Sequence, residues 1–353
     1  MAQTRIKRYI WLLVVLLSLT AKAAEPYAVL YNGTLTFYYD NFKSSRSGKV
    51  YPIKTRYYSP YAWSDVSNND LPAWYEDEAE IIRANFNPSF KQYELPYFDN
   101  WFYQLSNLES ISGCNNINTS NTITMRCTFF RCPKLKTLDV SSLNTANVVN
   151  MHAMFEGCES IEELDVSHFN TAKVQVMSDM FYGLDNIKAL DVSNFNTANV
   201  TSMAYMFGCK NLQNLDLSSF DTHNVTNMDG MFENCKSLTK IVAGKDWQLG
   251  NTVSGINIFE NCTSLTGDKN TAYSYAHRDI SYAHIDGGTS NPGYLSDDMA
   301  TYIVSATGAT GASDTTPDNV YDLSGRLVRR NVIHPELLPQ GTYIYKGKKI
   351  INP

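Results

Sequence analysis

The sequence predicts a repeat solenoid, an α/β stack of short coils with a parallel sheet on one face, closed by an N-terminal β cap and followed by a small C-terminal antiparallel β unit. Three observations carry that expectation. Met125, Met151, Met177, Met203 and Met228 are spaced 26, 26, 26 and 25 residues apart. Each is followed four residues later by a phenylalanine: Phe129, Phe155, Phe181, Phe207 and Phe232. Leu138-Asp139-Val140-Ser141 returns at 164–167 and 190–193, and again as Leu215-Asp216-Leu217-Ser218. A fixed period in this range marks units that cannot bury an apolar face alone and do so against their neighbours.

The elements follow in order. Residues 1–23 read as a secretory signal peptide: Arg5, Lys7 and Arg8 precede an apolar run from Tyr9 to Leu19, and Ala21-Lys22-Ala23 supplies a small-residue cleavage pattern. The run falls short of the ~20 residues a membrane-spanning helix needs. The expected chain is therefore secreted or held at a bacterial cell surface, outer-membrane associated, with no membrane span once the leader is removed. Residues 24–105 read as an aromatic-rich β cap. Tyr27 to Tyr31 and Thr34 to Tyr39 flank Asn32-Gly33, a hairpin signal. The stretch from Pro60 to Asp77, with Trp63 and Trp74, reads as irregular, and Glu80 to Phe90 as a strand, because Asn87-Pro88 stops a helix early.

Residues 106–265 hold the repeats. Leu138 and Val140 alternate with Asp139 and Ser141 as a strand with one buried side would. Asn144-Thr145 reads as a turn, and Asn150 to Phe155 as a short helical return, with Met151, Met154 and Phe155 at i, i+3 and i+4. Residues 266–305 form a C-terminal cap, 306–318 a low-complexity linker, and 319–353 a small β unit with turns at Gly325, Gly341 and Gly347.

Composition excludes several functions. Charged residues make up 18% and the net charge is -6, with no basic run to suit a phosphate backbone, so nucleic acid is not expected as a partner. Of seven cysteines, Cys132, Cys158, Cys209, Cys235 and Cys262 share one repeat column, which Leu184 fills where cysteine is missing. A column shared by Cys and Leu reads as buried thiols in the core; a Cys114 to Cys127 bridge stays open. No close Cys or His pair has zinc spacing, and a straight Asp column does not converge as calcium requires, so no metal and no cofactor is expected. Neither a nucleophile elbow nor a metalloprotease helix is present. Glu76-Asp77-Glu78-Glu80 reads as a solvated charge run rather than a glycosidase pair. The chain is expected not to be an enzyme.

Two stretches carry a resemblance. Leu190 to Met203, Leu-Asp-Val-Ser-Asn-Phe-Asn-Thr-Ala-Asn-Val-Thr-Ser-Met, followed by Met206-Phe207, resembles the repeat of the BspA-like leucine-rich-repeat surface proteins of Bacteroidetes-type bacteria and of mycoplasmas. Asp286 to Tyr294 also resembles the segment after the last repeat in that family. The resemblance implies a leucine-rich-repeat-like coil, a secreted or surface location, and adhesion to matrix or cells. Val320 to Val328, with Leu338 to Lys349, is similar to the C-terminal sorting domains of type IX secretion, which implies secretion machinery as a partner.

Together these point to an adhesin-like binding protein whose strand face meets an extracellular protein or glycan through Lys136, Asp139, Glu162, Asp165, Lys188, Asp191, Gln213 and Asp216. Positions 136, 162, 188 and 213 change from copy to copy, which suits recognition; the constant Asp column suits architecture. The alternative is a structural or self-associating surface component with no dedicated ligand.

Overall fold

In the computed structural model of the chain, the described residues are 23–53, 70–250 and 253–297, with the C-terminal strands at 318–322, 327–332, 341–345 and 348–352. The leader expected over residues 1–23 lies outside them, save Ala23. So does nearly all of the linker. No helix among the described residues is long and apolar enough to cross a membrane.

The N-terminal region is built on the expected hairpin. β1 (Glu25–Tyr31) and β2 (Thr34–Asp40) pair antiparallel. Asn32 and Gly33 both take left-handed backbone, φ 49° and 72°, as a two-residue type I′ turn requires. β3 (Lys49–Pro52) adds to β1 antiparallel, whereas β4 (Arg83–Phe86) joins β2 in parallel and β5 (Ser110–Ser112) joins β4 in parallel. The resulting five-stranded order is β3-β1-β2-β4-β5. The stretch read as one strand from 80 to 90 is divided: a 3-10 helix ends at Glu80, β4 follows, and a second 3-10 turn spans Pro88–Gln92, capped by the Asn87 side chain, which accepts from the Ser89 N–H. Beneath the sheet, Phe37 packs on Trp74, Phe86 and Trp101 at centroid distances of 5.2, 4.6 and 4.9 Å.

The expected leucine-rich-repeat-like α/β solenoid, with a parallel sheet on one face, is not what the chain forms. The largest sheet is the mixed one just described, and the helices among the described residues are short 3-10 turns. Leu138–Ser141, Leu164–Ser167 and Leu190–Ser193 are irregular. Only the last copy is a strand, β6 (Asn214–Leu217), pairing in parallel with β7 (Lys240–Ala243), which takes β8 (Leu295–Asp297) on its other edge. In all four copies Oδ1 of Asp139, Asp165, Asp191 and Asp216 accepts the N–H of the serine two residues on, each at 3.0 Å, so a turn closes the segment at that serine in the β6 copy and in the irregular ones alike.

The helical return expected over Asn150 to Phe155 is overturned as well. A helix would send each N–H four residues back. Instead the N–H groups of Met151, Ala153 and Phe155 donate to Val176, Ser178 and Met180 of the next copy at 3.0, 2.9 and 3.1 Å. The alternate N–H groups, of Met154 and Glu156, return to Met151 and Ala153 at 3.2 and 3.3 Å. This needs a left-handed residue in each copy, and Cys127, Ala153, Asp179, Tyr205, Gly230 and Asn257 supply it, with φ of 53°, 52°, 59°, 55°, 58° and 57°. Successive copies thus meet through single parallel bridges, Thr124 to Asn150 to Val176 to Ser202 to Asn227 to Ser254.

Three buried columns reinforce those bridges. Phe102, Phe129, Phe155, Phe181, Phe207, Phe232 and Phe259 stack ring on ring, with centroids 5.4, 5.7, 6.0, 5.9, 5.9 and 5.6 Å apart. The second column is threonine. The Thr145 hydroxyl donates to the Asn170 carbonyl at 3.1 Å and accepts the Asn170 N–H at 2.8 Å, and Thr119, Thr171, Thr197 and Thr222 repeat the pattern onto Asn144, Asn196, Asp221 and Gln248. One side chain therefore does the work of a sheet rung where the backbones of neighbouring copies do not pair. The third is cysteine: the thiols of Cys132, Cys158, Cys209, Cys235 and Cys262 donate to the carbonyls of Phe102, Phe129, Phe181, Phe207 and Phe232. All seven cysteines are free and buried, so Cys114 and Cys127 are not bridged.

At the C-terminal end of the repeats, the Asp286 carboxylate accepts from the N–H groups of Lys269, Thr271, Gly288 and Gly293 and from the Thr271 hydroxyl. The last four strands, β9 (Asp318–Asp322), β10 (Leu327–Val332), β11 (Gly341–Tyr345) and β12 (Lys348–Asn352), form a separate sheet in the order β10-β9-β11-β12, every pair antiparallel. Gly341 opens β11 rather than making a turn; Gly325 and Gly347 lie outside the described residues.

Candidate functional site

Two faces of the repeats present side chains outward. The first is the one expected from the sequence. Lys136, Asp139, Glu162, Asp165, Lys188 and Gln213 are exposed, and Asp191 and Asp216 are half-buried. The four aspartates are engaged in the turns described above. The Ser141 hydroxyl and N–H hold the Asp139 carboxyl below its ordinary value. Lys136, Glu162, Lys188 and Gln213 have a different status: their side chains make no ion pair among the described residues. The structure joins Lys188 to Gln213 directly, through the Gln213 N–H on the Lys188 carbonyl at 3.2 Å. Lys136 and Glu162 have no such bond to the next copy among the described residues.

The second face was not expected. It is carried by the residue that follows each stacked phenylalanine, just before a second left-handed position, together with Tyr205 in the turn after Met203. Tyr103, Phe130, Glu156, Tyr182, Glu233 and Glu260 occupy equivalent positions here. Tyr103 stacks on Phe130 at 4.8 Å, and the Arg131 guanidinium lies 4.8 Å over the Phe130 ring while reaching Glu156 at 3.4 Å. Tyr182 and Tyr205 meet edge to face at 6.1 Å. Gly208 and Gly230 lie directly beneath those two rings, so close that a Cβ at either position would collide with the ring above it. Asn234, two copies along, donates to the Tyr182 hydroxyl at 3.2 Å and fixes the ring along the stacking direction.

The electrostatics of this face are those of crowded carboxyls. Burial, and then the charge of Glu156, raise the Asp179 carboxyl to about 7. Burial raises Glu156 too, with Arg131 opposing. His152 Nδ1 lies 3.5 Å from Asp179, but burial lowers its pKa, so the contact is not a charged pair; the same nitrogen is 3.1 Å from the Ser178 carbonyl. No group of three or more His, Cys, Asp or Glu side chains among the described residues is placed to hold a metal ion. Burial pushes the thiols of Cys127 and Cys235 up to about 12, which leaves them as protonated core groups rather than nucleophiles.

A signal for the second face was available in the sequence. Gly157, Gly183, Asn234 and Asn261 occupy a second left-handed column, with φ of 69°, 75°, 67° and 61°. Glycine and asparagine recurring at one repeat position mark such backbone.

These features define a repeat-containing protein with a periodic core and two outward faces. The family is the one described as Mycoplasma protein of unknown function, DUF285: its model matches residues 97–191 and 165–273, together just over half of the chain, and the chain belongs to it. The match stops before the segment 319–353 and speaks only to this coarse class. No curated protein and no solved structure matches the chain.

Proposed function

We propose that this is a non-enzymatic, adhesin-like binding protein, secreted or held at the bacterial cell surface, which meets an extracellular protein through the row Lys136, Glu162, Lys188 and Gln213. The observation that supports this reading is the division of labour on that wall: the constant aspartates are engaged by serine, whereas the variable positions beside them are exposed and make no ion pair among the described residues. Positive, negative, positive and neutral tips in succession suit a protein surface of mixed charge better than a polyanion. The resemblance of residues 190–207 to BspA-like surface proteins supports the location. That of 320–349 to type IX sorting domains supports an export address at the C-terminal end.

The test is surface plasmon resonance of the purified chain over immobilised extracellular matrix proteins. A saturable signal that Lys136→Glu with Lys188→Glu abolishes is the expected result. No binding, together with concentration-dependent assembly in light scattering, would instead establish a self-associating structural component.

A further inference from the structure

The Tyr182–Tyr205 surface lies on a different face from the variable wall and is built in a way that packing alone does not require. Each ring lies over the glycine of the following copy, and any side chain at Gly208 or Gly230 would lift it. Tyr182 is also held at its far end by Asn234, whose own side-chain oxygen accepts from Asn261 at 2.9 Å. Two aromatic rings are thus laid down and fixed along the stack, with Tyr205 37% exposed. The Tyr182 oxygen accepts from Asn234, which leaves its own proton to donate outward. The Tyr205 hydroxyl makes no hydrogen bond among the described residues.

We propose that this surface binds a neutral glycan, a sugar ring stacking on Tyr205 while the two tyrosine hydroxyls and Glu233 exchange hydrogen bonds with its hydroxyls. The chemistry is specific to that class. An immobile aromatic face receives the weakly positive C–H groups of a pyranose, and a ring of adjacent donors and acceptors reads its hydroxyls. The charges nearby select against acidic sugars. Glu156, Asp179, Glu233 and Asp229 lie near the rings, and Arg131 is already paired with Glu156. A sulfated or uronic-acid chain would meet the like charge of Glu233 and Asp229 beside Tyr205, which make no ion pair among the described residues; a neutral one would not.

The experiment is isothermal titration calorimetry of the whole chain with neutral oligosaccharides of glucose, mannose and N-acetylglucosamine, and with heparin fragments and polyuronates as the anionic arm. The expected result is saturable binding of at least one neutral series and none of the anionic ones. Tyr205→Ala, at a half-open position whose loss leaves the core intact, should weaken it by about three- to tenfold, the worth of one stacking partner. Tyr182→Phe, which keeps the ring and removes the outward proton, should weaken it less. Lys136→Glu with Lys188→Glu should leave it unchanged, which separates this site from the variable wall. The proposal is overturned if no neutral series binds, if heparin or polyuronate binds in preference, or if Tyr205→Ala binds as tightly as the parent.

Discussion

Replacing Thr171 by valine tests whether hydroxyls stand in for a sheet between copies. The substitution keeps shape and volume while removing one oxygen. That oxygen donates to the Asn196 carbonyl at 2.9 Å and accepts the Asn196 N–H at 2.8 Å, and Thr171 is 1% exposed. Valine therefore breaks two hydrogen bonds and strands both backbone groups of Asn196. A group left without its partner costs about 1–3 kcal/mol when buried. Asn196 itself is exposed, so water recovers part of the loss, and the expected destabilisation is about 2 kcal/mol. Thr171→Ser keeps the oxygen and loses one methyl, which costs about 1 kcal/mol. Urea unfolding of both variants gives the comparison at constant m-value. Should serine cost as much as valine, the hydroxyl bridge contributes nothing and the copies are held by apolar packing alone.

Four further outcomes follow from the same contacts. Phe181→Ala removes a ring with no exposure from the middle of the stack, between Phe155 at 6.0 Å and Phe207 at 5.9 Å, and should cost about 3–5 kcal/mol in urea unfolding. Asp179 has a folded pKa of about 7, above the ~4 of an unfolded aspartate, so its contribution to stability is full below ~4 and is lost as pH rises through about 7. Asp179→Asn, with a residue that also suits left-handed backbone, should therefore gain stability relative to the parent at pH 8 and not at pH 4; equal pH slopes for the two chains would refute this. Asp286 runs the other way. Burial opposes ionisation, but the Thr271 hydroxyl and the surrounding N–H groups prevail and hold the carboxyl at about 2, so its contribution is present above ~4 and disappears as pH falls towards 2; Asp286→Ala should flatten that acid limb in thermal unfolding. The seven thiols, all buried, should react with a thiol reagent only after denaturant is added, and fast labelling of Cys132 or Cys158 in the folded chain would contradict their place in the core.

How far the fold was legible depended on which group did the bonding. The hairpin at Asn32-Gly33 was readable because its turn is specified by two adjacent residues and its register follows from them. The apolar columns were readable because Leu, Met, Phe and Cys recur at fixed offsets, and burial follows from recurrence. The strand expected of Leu-Asp-Val-Ser failed because alternation reports which side is buried and says nothing about where the N–H groups go. Asp139, Asp165, Asp191 and Asp216 all take the serine N–H into a turn, and of the four only the last copy, as β6, pairs with its neighbour as a strand. The helix expected at Asn150 failed in a related way. Met151, Met154 and Phe155 do share the interior, but the spacing that suggested one face of a helix is equally the spacing of a turn whose alternate N–H groups reach the next copy. On the surface, the exposed positions of the variable wall were legible from alternation. Of the second face only the recurring Gly and Asn column was legible; the fixing of its tyrosines was not, because it depends on Tyr182 crossing a whole copy to reach Asn234, a contact between residues 52 apart in sequence.

These bonding patterns bear on what the outward positions are free to do. Where a continuous sheet holds a stack together, a substitution anywhere on the strand face disturbs cross-strand neighbours about 5 Å away. Here the copies are joined by the Met turn, by threonine oxygens and by ring stacking, all away from Lys136 and Glu162, and at Lys188 only through its backbone carbonyl. Those positions can therefore change from copy to copy without loss of register. By contrast Tyr182, Tyr205, Gly208 and Gly230 are tied to one another by contact, so that face can change only in concert. Random substitution should accordingly leave folding intact at 136, 162 and 188 even when several are changed together. At Gly208 and Gly230 single changes should be tolerated only when the tyrosine above is also made small, and thermal unfolding of the Gly230→Ala chain with and without Tyr205→Ala measures that coupling directly.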